Sequence, residues 1–243
     1  MELSKVPSEV FDTVIDFLHS DIPALKTCTL VCKEWLPASR YHLFSTISVD
    51  QHHVQRFLDM LDSPLCVWRP YIRHLQITGI RRHTIGMLHD PIYLQKLATL
   101  TVNELSLRHF HVDDDLSSFP RSVHMTQLVS TFGGVTEMKV SDGVFRTFSH
   151  FLSMIIMFPL RRLTLGENRF SYSHHRPITL DITTQLPIEW ASNLRVVRLL
   201  ALVHKEVYLL GEFLALLGPS LTHIYLARPQ FLKHLWGDGT LQH

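Results

Sequence analysis

Seven times along this chain an apolar residue is followed by a second three positions on and a third five positions on. The instances are Phe44/Ile47/Val49, Ile72/Leu75/Ile77, Val102/Leu105/Leu107, Val135/Met138/Val140, Leu160/Leu163/Leu165, Leu194/Val197/Leu199 and Leu221/Ile224/Leu226. Their first members lie 28, 30, 33, 25, 34 and 27 residues apart. One such hexad carries no information in a chain that is 46% apolar. Seven at a period of about 30 residues define a repeat. The last two apolar positions of each hexad alternate as in a strand with one buried face.

Between the hexads the spacing turns helical. Val54, Phe57, Leu58 and Leu61 fall at i, i+3, i+4 and i+7, as do Met125, Leu128, Val129 and Phe132. Phe148, Phe151, Leu152, Ile155 and Ile156 repeat the stripe, and Leu210, Phe213, Leu214 and Leu217 give the last. Asp90-Pro91 predicts the N-cap and first turn of a shorter helix ending near Thr99. Residues 166–193, with Asn168, Pro177, Pro187 and a run of Ser and His, read as a long surface excursion with one short helical stretch over 188–191.

Strand and helix in fixed alternation imply an α/β chain with a parallel sheet, and a solenoid is the economical arrangement, each unit burying its apolar faces on the next. It is expected to occupy residues 47–243 in six to seven strand units. Phe231, Leu232, Leu235 and Trp236 would cap its last edge over 229–243; the alternative is a truncated array. Strand residues between the apolar positions point away from the core. They are His74 and Gln76, Glu104, Ser106 and Arg108, Glu137 and Lys139, Arg162 and Thr164, Arg198, and His223 and Tyr225. These form a candidate target-binding surface of mixed charge, better suited to a protein than to a polyanion. The plainer reading is the solvated face of a sheet.

Ahead of the repeats lies a helical stretch. Pro7 can open a helix whose Val10, Val14 and Leu18 form one stripe, widened by Phe11, Ile15 and Phe17. Asp21 can cap a second helix with Pro23 in its first turn. Leu25, Cys28 and Cys32 continue it, with Leu30, Val31 and Trp35 on a neighbouring face, and a third helix runs from Pro37 to Phe44. Three short helices cannot cover this many large apolar side chains, so a partner surface is implied, although some of them must pack on the first repeat.

Val6-Pro7-Ser8-Glu9, Asp21-Ile22-Pro23-Ala24-Leu25, Leu30-Val31-Cys32-Lys33-Glu34-Trp35 and Arg40-Tyr41-His42-Leu43-Phe44 together resemble an F-box, assigned to residues 1–46. Val6 stands where that family usually shows Leu, a contact smaller by a methylene. The resemblance implies a module that docks on the adaptor subunit of an SCF-type cullin–RING ubiquitin ligase through Val6, Pro7, Glu9, Val10, Leu25, Leu30, Val31, Cys32, Lys33 and Trp35. The repeats resemble the leucine-rich repeats that commonly follow an F-box, without most of the Asn or Cys that regular repeats carry three residues after the last apolar position. The function implied is substrate recognition, with ubiquitin transferred by other subunits. A scaffold with no ubiquitylated target is the alternative.

Formal net charge is +1, so no broad attraction to nucleic acid or anionic membrane is expected. Three cysteines and no apolar leader suggest reduced thiols in the cytosol or nucleus. The most apolar run, 151–160, is too short to span a bilayer. Seventeen histidines include the pairs His52-His53, His109/His111 and His174-His175, but none has Cys or carboxylate partners at zinc spacing, so turn and surface histidines are expected. Cys28 and Cys32, at i and i+4, can bridge a metal or simply fill the apolar stripe, and the stripe is the simpler account. No Gly-x-Ser-x-Gly elbow or phosphate loop is present, Gly133-Gly134 lacking the following Lys-Ser/Thr. Arg81-Arg82 and Arg161-Arg162 read as solvated charge. The expectation is a protein with no cofactor, no metal and no catalytic residue. A metal-assisted hydrolase built on the histidine clusters is the rival from another class.

Overall fold

The computed structural model describes residues 7–50, 52–79, 91–109, 130–145, 148–170, 192–200, 213–214, 217 and 220–226. Three helices come first: α1 (Ser8–Phe17), α2 (Ile22–Val31) and α3 (Leu36–Phe44). Pro7 precedes α1 with ψ 143°, an extended entry that its ring favours. Asp21 caps α2 as its position predicts, Oδ1 accepting from the Ala24 N–H at 3.0 Å. Ile15, Leu25 and Cys28 are the buried apolar residues of this unit, with Phe11 and Leu18 half-buried beside them. Phe11 and Trp35 meet at 5.8 Å between ring centroids. His42 Nε2 lies 2.7 Å from Asp16 Oδ1 and ties α3 to α1.

The chain then alternates between sheet and helix. Strands β1 (Thr46–Asp50), β2 (His74–Thr78), β3 (Glu104–Arg108), β4 (Glu137–Ser141), β6 (Arg162–Leu165), β8 (Val196–Leu199) and β9 (His223–Leu226) form one seven-stranded sheet, parallel throughout and in that spatial order. Each strand falls on one hexad. Helices α4 (Val54–Asp62), α5 (Pro91–Leu97) and α6 (Phe148–Ile155) lie between strands, and a 3-10 turn covers Arg69–Tyr71. The shorter helix predicted to end near Thr99 stops at Leu97. Met125, Leu128, Val129 and Leu210 lie outside the described residues, as do His111, His174-His175, Arg81-Arg82 and residues 229–243.

Register is the same at every join: hexad positions pair with like positions although the spacing between hexads varies by several residues. The second hexad position explains why. Its carbonyl accepts from two consecutive N–H groups of the next unit, six times over. Ser45 O receives Arg73 N and His74 N at 2.9 and 2.8 Å; Arg73 O receives Asn103 N and Glu104 N; Asn103 O receives Thr136 N and Glu137 N. Thr136 O, Arg161 O and Arg195 O continue the series to Arg161/Arg162, Arg195/Val196 and Thr222/His223. A carbonyl has two lone pairs, so one oxygen fixes the start of the adjoining strand to a single register.

Two apolar rows cross the sheet. Leu75, Leu105, Met138, Leu163 and Val197 form one, and Val49, Ile77, Leu107, Val140, Leu165 and Leu199 the other; all are buried. Val54, Phe57, Leu58 and Leu61 of α4, Leu97 of α5, and Phe151, Leu152 and Ile155 of α6 belong to the same core, with Phe213 and Leu217. At its two ends the rows thin out. Ile47 is half-buried, while Ile224 and Leu226 of β9 are exposed.

The surface excursion expected after Gly166 begins with ordered, buried structure. Strands β5 (Val144–Phe145) and β7 (Arg169–Phe170) pair in a separate parallel ribbon. Between them Asn168 is buried, its Nδ2 donating to Val140 O at 3.1 Å and Gly166 O at 3.2 Å, its Oδ1 accepting from Gly143 N at 3.0 Å. Asn168 stands three residues after Leu165, a place where none of the other six hexads carries such an amide. Gly166 is required by close approach, since an added Cβ would lie 2.6 Å from Ser141 Cβ.

Three backbone groups therefore depend on one side chain. Asn168→Ala should cost about 2–4 kcal/mol by orphaning them, read from urea denaturation of the full chain. Asn168→Asp should cost more, because it sets a carboxylate against the two carbonyls that the amide now serves.

Candidate functional site

Two surfaces present candidate binding groups, one on the helices and one on the sheet. Helix α1 is apolar on two sides. Phe11, Ile15 and Leu18 turn inward, while Val10, Val14 and Phe17, again at i, i+4 and i+7, are exposed, Phe17 by 82%. At the end of α2, Leu30 is 85% and Val31 57% exposed. A single exposed apolar residue needs no explanation, but a full helical stripe does. Of the residues that the resemblance assigns to adaptor docking, Pro7, Glu9, Val10, Leu30, Val31, Cys32 and Lys33 are exposed, and Trp35 is half-buried against Phe11. Leu25 is fully buried, so it serves the internal core and not a docking face. Val6 lies outside the described residues. Cys32 leaves the stripe that its spacing suggests, because α2 ends at Val31 and Cys32 turns extended with φ −160° and ψ 171°.

The second surface is the face of the sheet opposite the apolar rows. In-register pairing collects the interleaved residues into rows of their own. One runs Thr46, His74, Glu104, Glu137, Arg162, Val196, His223; the next runs Ser48, Gln76, Ser106, Lys139, Thr164, Arg198, Tyr225. A third begins Asp50, Thr78, Arg108, Ser141. Twelve residues that the alternation predicts to point away from the core thus do share one face.

Two of the twelve are not available to a partner. Ser106 and Thr164 are buried. Each is a short side chain between longer ones on adjacent strands about 4.8 Å away: Gln76 and Lys139 flank Ser106, and Lys139 and Arg198 flank Thr164. Alternation predicts the direction of a side chain, and its neighbours decide its exposure.

The middle of this face neutralises itself. Glu104 and Glu137 are direct partners on β3 and β4, and each takes a cation from the strand beyond: Lys139 Nζ meets Glu104 Oε1, and Arg162 Nη1 donates to Glu137 Oε2 at 3.1 Å. His74 Nε2 sits 2.8 Å from Ser106 Oγ and 3.6 Å from Glu104 Oε1. Burial lowers the His74 pKa, opposed by the carboxylate of Glu104 and aided by the ammonium of Lys139. Serine and carboxylate both approach the same ring nitrogen. The division of labour in a nucleophilic relay, with Nδ1 to the carboxylate and Nε2 to the hydroxyl, is not made.

Of the histidine pairs, only His52-His53 lies wholly among the described residues. His53 Nδ1 is 2.8 Å from Asp50 Oδ1, whose other bonds run to the N–H groups of His52 and His53. These bonds, His53 foremost, hold the Asp50 carboxyl below its ordinary pKa. His109 lies just beyond β3 with φ 51°, and His111 lies outside the described residues. Among the described residues no three His, Cys, Asp or Glu side chains form a group able to hold a metal ion. No helix among them is long and apolar enough to cross a membrane. No protein-family model matches the chain, and no curated protein matches it.

Because the folded state holds His74 below the ordinary histidine pKa of about 6.5, the unfolded chain takes up its proton first as pH falls. The contribution of neutral His74 is complete above that value, declines as pH drops toward the folded-state pKa, and is then spent. His74→Gln, which can still bond Ser106, should flatten that part of the curve of urea midpoint against pH. An unchanged slope would assign the acid sensitivity to other groups.

Proposed function

We propose that this chain is the substrate-recognition subunit of an SCF-type cullin–RING ubiquitin ligase. In this reading residues 1–46 are an F-box that docks the adaptor subunit, and residues 47–243 are an irregular solenoid resembling leucine-rich repeats that holds a target protein. The observation that carries it is the outward stripe Val10, Val14 and Phe17 of α1, which leaves one helix with apolar residues on two sides. The exposed Leu30 and Val31 add to that surface. Covering residues of this size removes several hundred Å² of apolar area from water, enough to anchor a standard interface.

The polar face of the sheet is the complementary half of the proposal. Its rows present charged, aromatic and amide groups on a rigid parallel sheet, the kind of support that fixes side chains for recognition. The chemistry needed from the chain is positional. Holding a target near a charged ubiquitin-conjugating enzyme raises the effective concentration of the target lysines, and no side chain of this subunit takes part in the transfer.

The test is co-purification of the full chain with the adaptor subunit, beside the double variant Val14→Asp and Val31→Asp. Both positions are exposed in the free chain, so circular dichroism and the melting temperature should be unchanged. In the complex each carboxylate would be buried without a partner, and affinity should fall by about 100-fold or more. Failure of the wild type to bind, or undiminished binding by the folded variant, would sink the docking assignment.

A further inference from the structure

At the β8–β9 end of the polar face the self-neutralising pattern stops. Arg198, in the same row as Lys139 and Thr164, has no carboxylate partner among the described residues. Its guanidinium carbon instead lies 5.1 Å from the centroid of the Tyr225 ring on the neighbouring strand. Tyr225 is in turn stacked on His223, two residues earlier on the same face, with centroids 6.0 Å apart and planes only 7° from parallel. The direct partner of His223 on β8 is Val196, and the row neighbours of Arg198 are Thr164 and Tyr225. The diagonal that brings Glu104 to Lys139 brings Arg162, itself engaged by Glu137, to Arg198, so among the described residues no acid faces this cluster from an adjoining strand.

This arrangement has a definite chemical bias. A guanidinium resting on an aromatic face is held by its flat surface, which leaves its N–H edge free to form two parallel bonds to a planar or tetrahedral oxyanion. Stacking between Tyr225 and His223 restricts both rings, so less rotamer entropy is lost when a ligand is bound. The cluster spans β8 and β9; Arg198 is half-buried, and the side chains of β9 are exposed along its whole length, so a peptide can reach it without opening the fold. By contrast Arg162 and Lys139, in the middle of the sheet, are already engaged by Glu137 and Glu104.

We infer that Arg198, with Tyr225 and His223 as its aromatic support, is the anchor for an anionic side chain, carboxylate or phosphoryl, on the protein partner bound by this face. The inference rests on reading the polar face as a target-binding surface, and adds to it the chemistry of the group recognised. The two anion sources share the same oxygen geometry at Arg198 and are distinguished by measurement.

The experiment pans a random displayed-peptide library against the immobilised full chain. Recovered peptides are then titrated against wild type, Arg198→Gln, Lys139→Glu and Arg161→Gln, the last an exposed arginine outside the polar rows. The expected result is enrichment of acidic residues, with binding weakened about tenfold or more by Arg198→Gln and little affected by Arg161→Gln. Replacing the critical acid by phosphoserine then sorts the source: clearly tighter binding marks a phosphoryl group, and equal or weaker binding a carboxylate. Peptides with no acidic bias that still lose affinity on Lys139→Glu would overturn the anionic anchor and leave the face as a binding surface. Peptides indifferent to both Arg198→Gln and Lys139→Glu, or none recovered, would remove the face reading and the anchor with it. Equal losses in Arg198→Gln and Arg161→Gln would reduce the effect to diffuse charge and also overturn the anchor.

Discussion

The sheet depends on one recurring contact, a single carbonyl at the second hexad position that receives two N–H groups from the unit that follows. It occurs at Ser45, Arg73, Asn103, Thr136, Arg161 and Arg195. Parallel strands need long crossovers, and the crossovers here differ in length from one unit to the next. Without a fixed point those differences would let strands slip, and a slip of one residue would turn Leu105 or Leu163 outward and Ser106 or Thr164 inward. The shared carbonyl removes that freedom at each strand start, and the buried rows on one face then reward the register it sets.

From that register follows the chemistry of the opposite face. Once like hexad positions pair, Glu104 must face Glu137, a like-charge contact that destabilises a sheet unless each acid finds a cation. Lys139 and Arg162 supply those cations one strand further on. The ion pairs are partly exposed and contribute little to stability. Their greater effect is to consume the charges in the middle of the face. Arg198 differs because the preceding strand carries Arg162 in the row where β3 and β4 carry Glu104 and Glu137, and its neighbour on β9 is Tyr225.

How much of this was legible in the sequence depended on the range of the interaction. The seven strands of the main sheet and helices α1 to α6 were, because periodicity is a local signal, whereas the short strands β5 and β7 were not. Asp21, Pro7 and Pro23 marked helix ends through groups that act within one turn. The exposure of Ser106 and Thr164 was not, because it depends on side chains about 30 residues away in both directions. Leu25 was misplaced among the docking residues for a related reason, since a helix with apolar residues on two sides does not announce which of them its neighbours will cover. Cys32 illustrates the limit of spacing alone: the i, i+4 pattern continues past Val31, whereas the backbone does not. Asn168 carried a visible signal, three residues past Leu165, but its partners Gly143 and Val140 lie a full unit upstream.

The junction between the helices and the sheet follows from the same contact. Ser45 ends α3, its N–H donating to Tyr41 O at 2.8 Å, and its own carbonyl takes Arg73 N and His74 N to begin the sheet. One residue thus closes a helix and sets the first strand, with no linker between them. Beside it Phe44 stacks on Trp68, centroids 5.9 Å apart, and Trp68 lies 6.2 Å from Phe57 of the core. Relative motion of α3 and β1 would have to break the Ser45 bonds and this aromatic contact together. A partner gripping the helices would therefore be held in a fixed relation to the start of the polar rows. For a subunit proposed to work by position alone, such a joint supplies what a flexible linker would dissipate, since effective concentration falls as the tether between two binding sites lengthens and loosens.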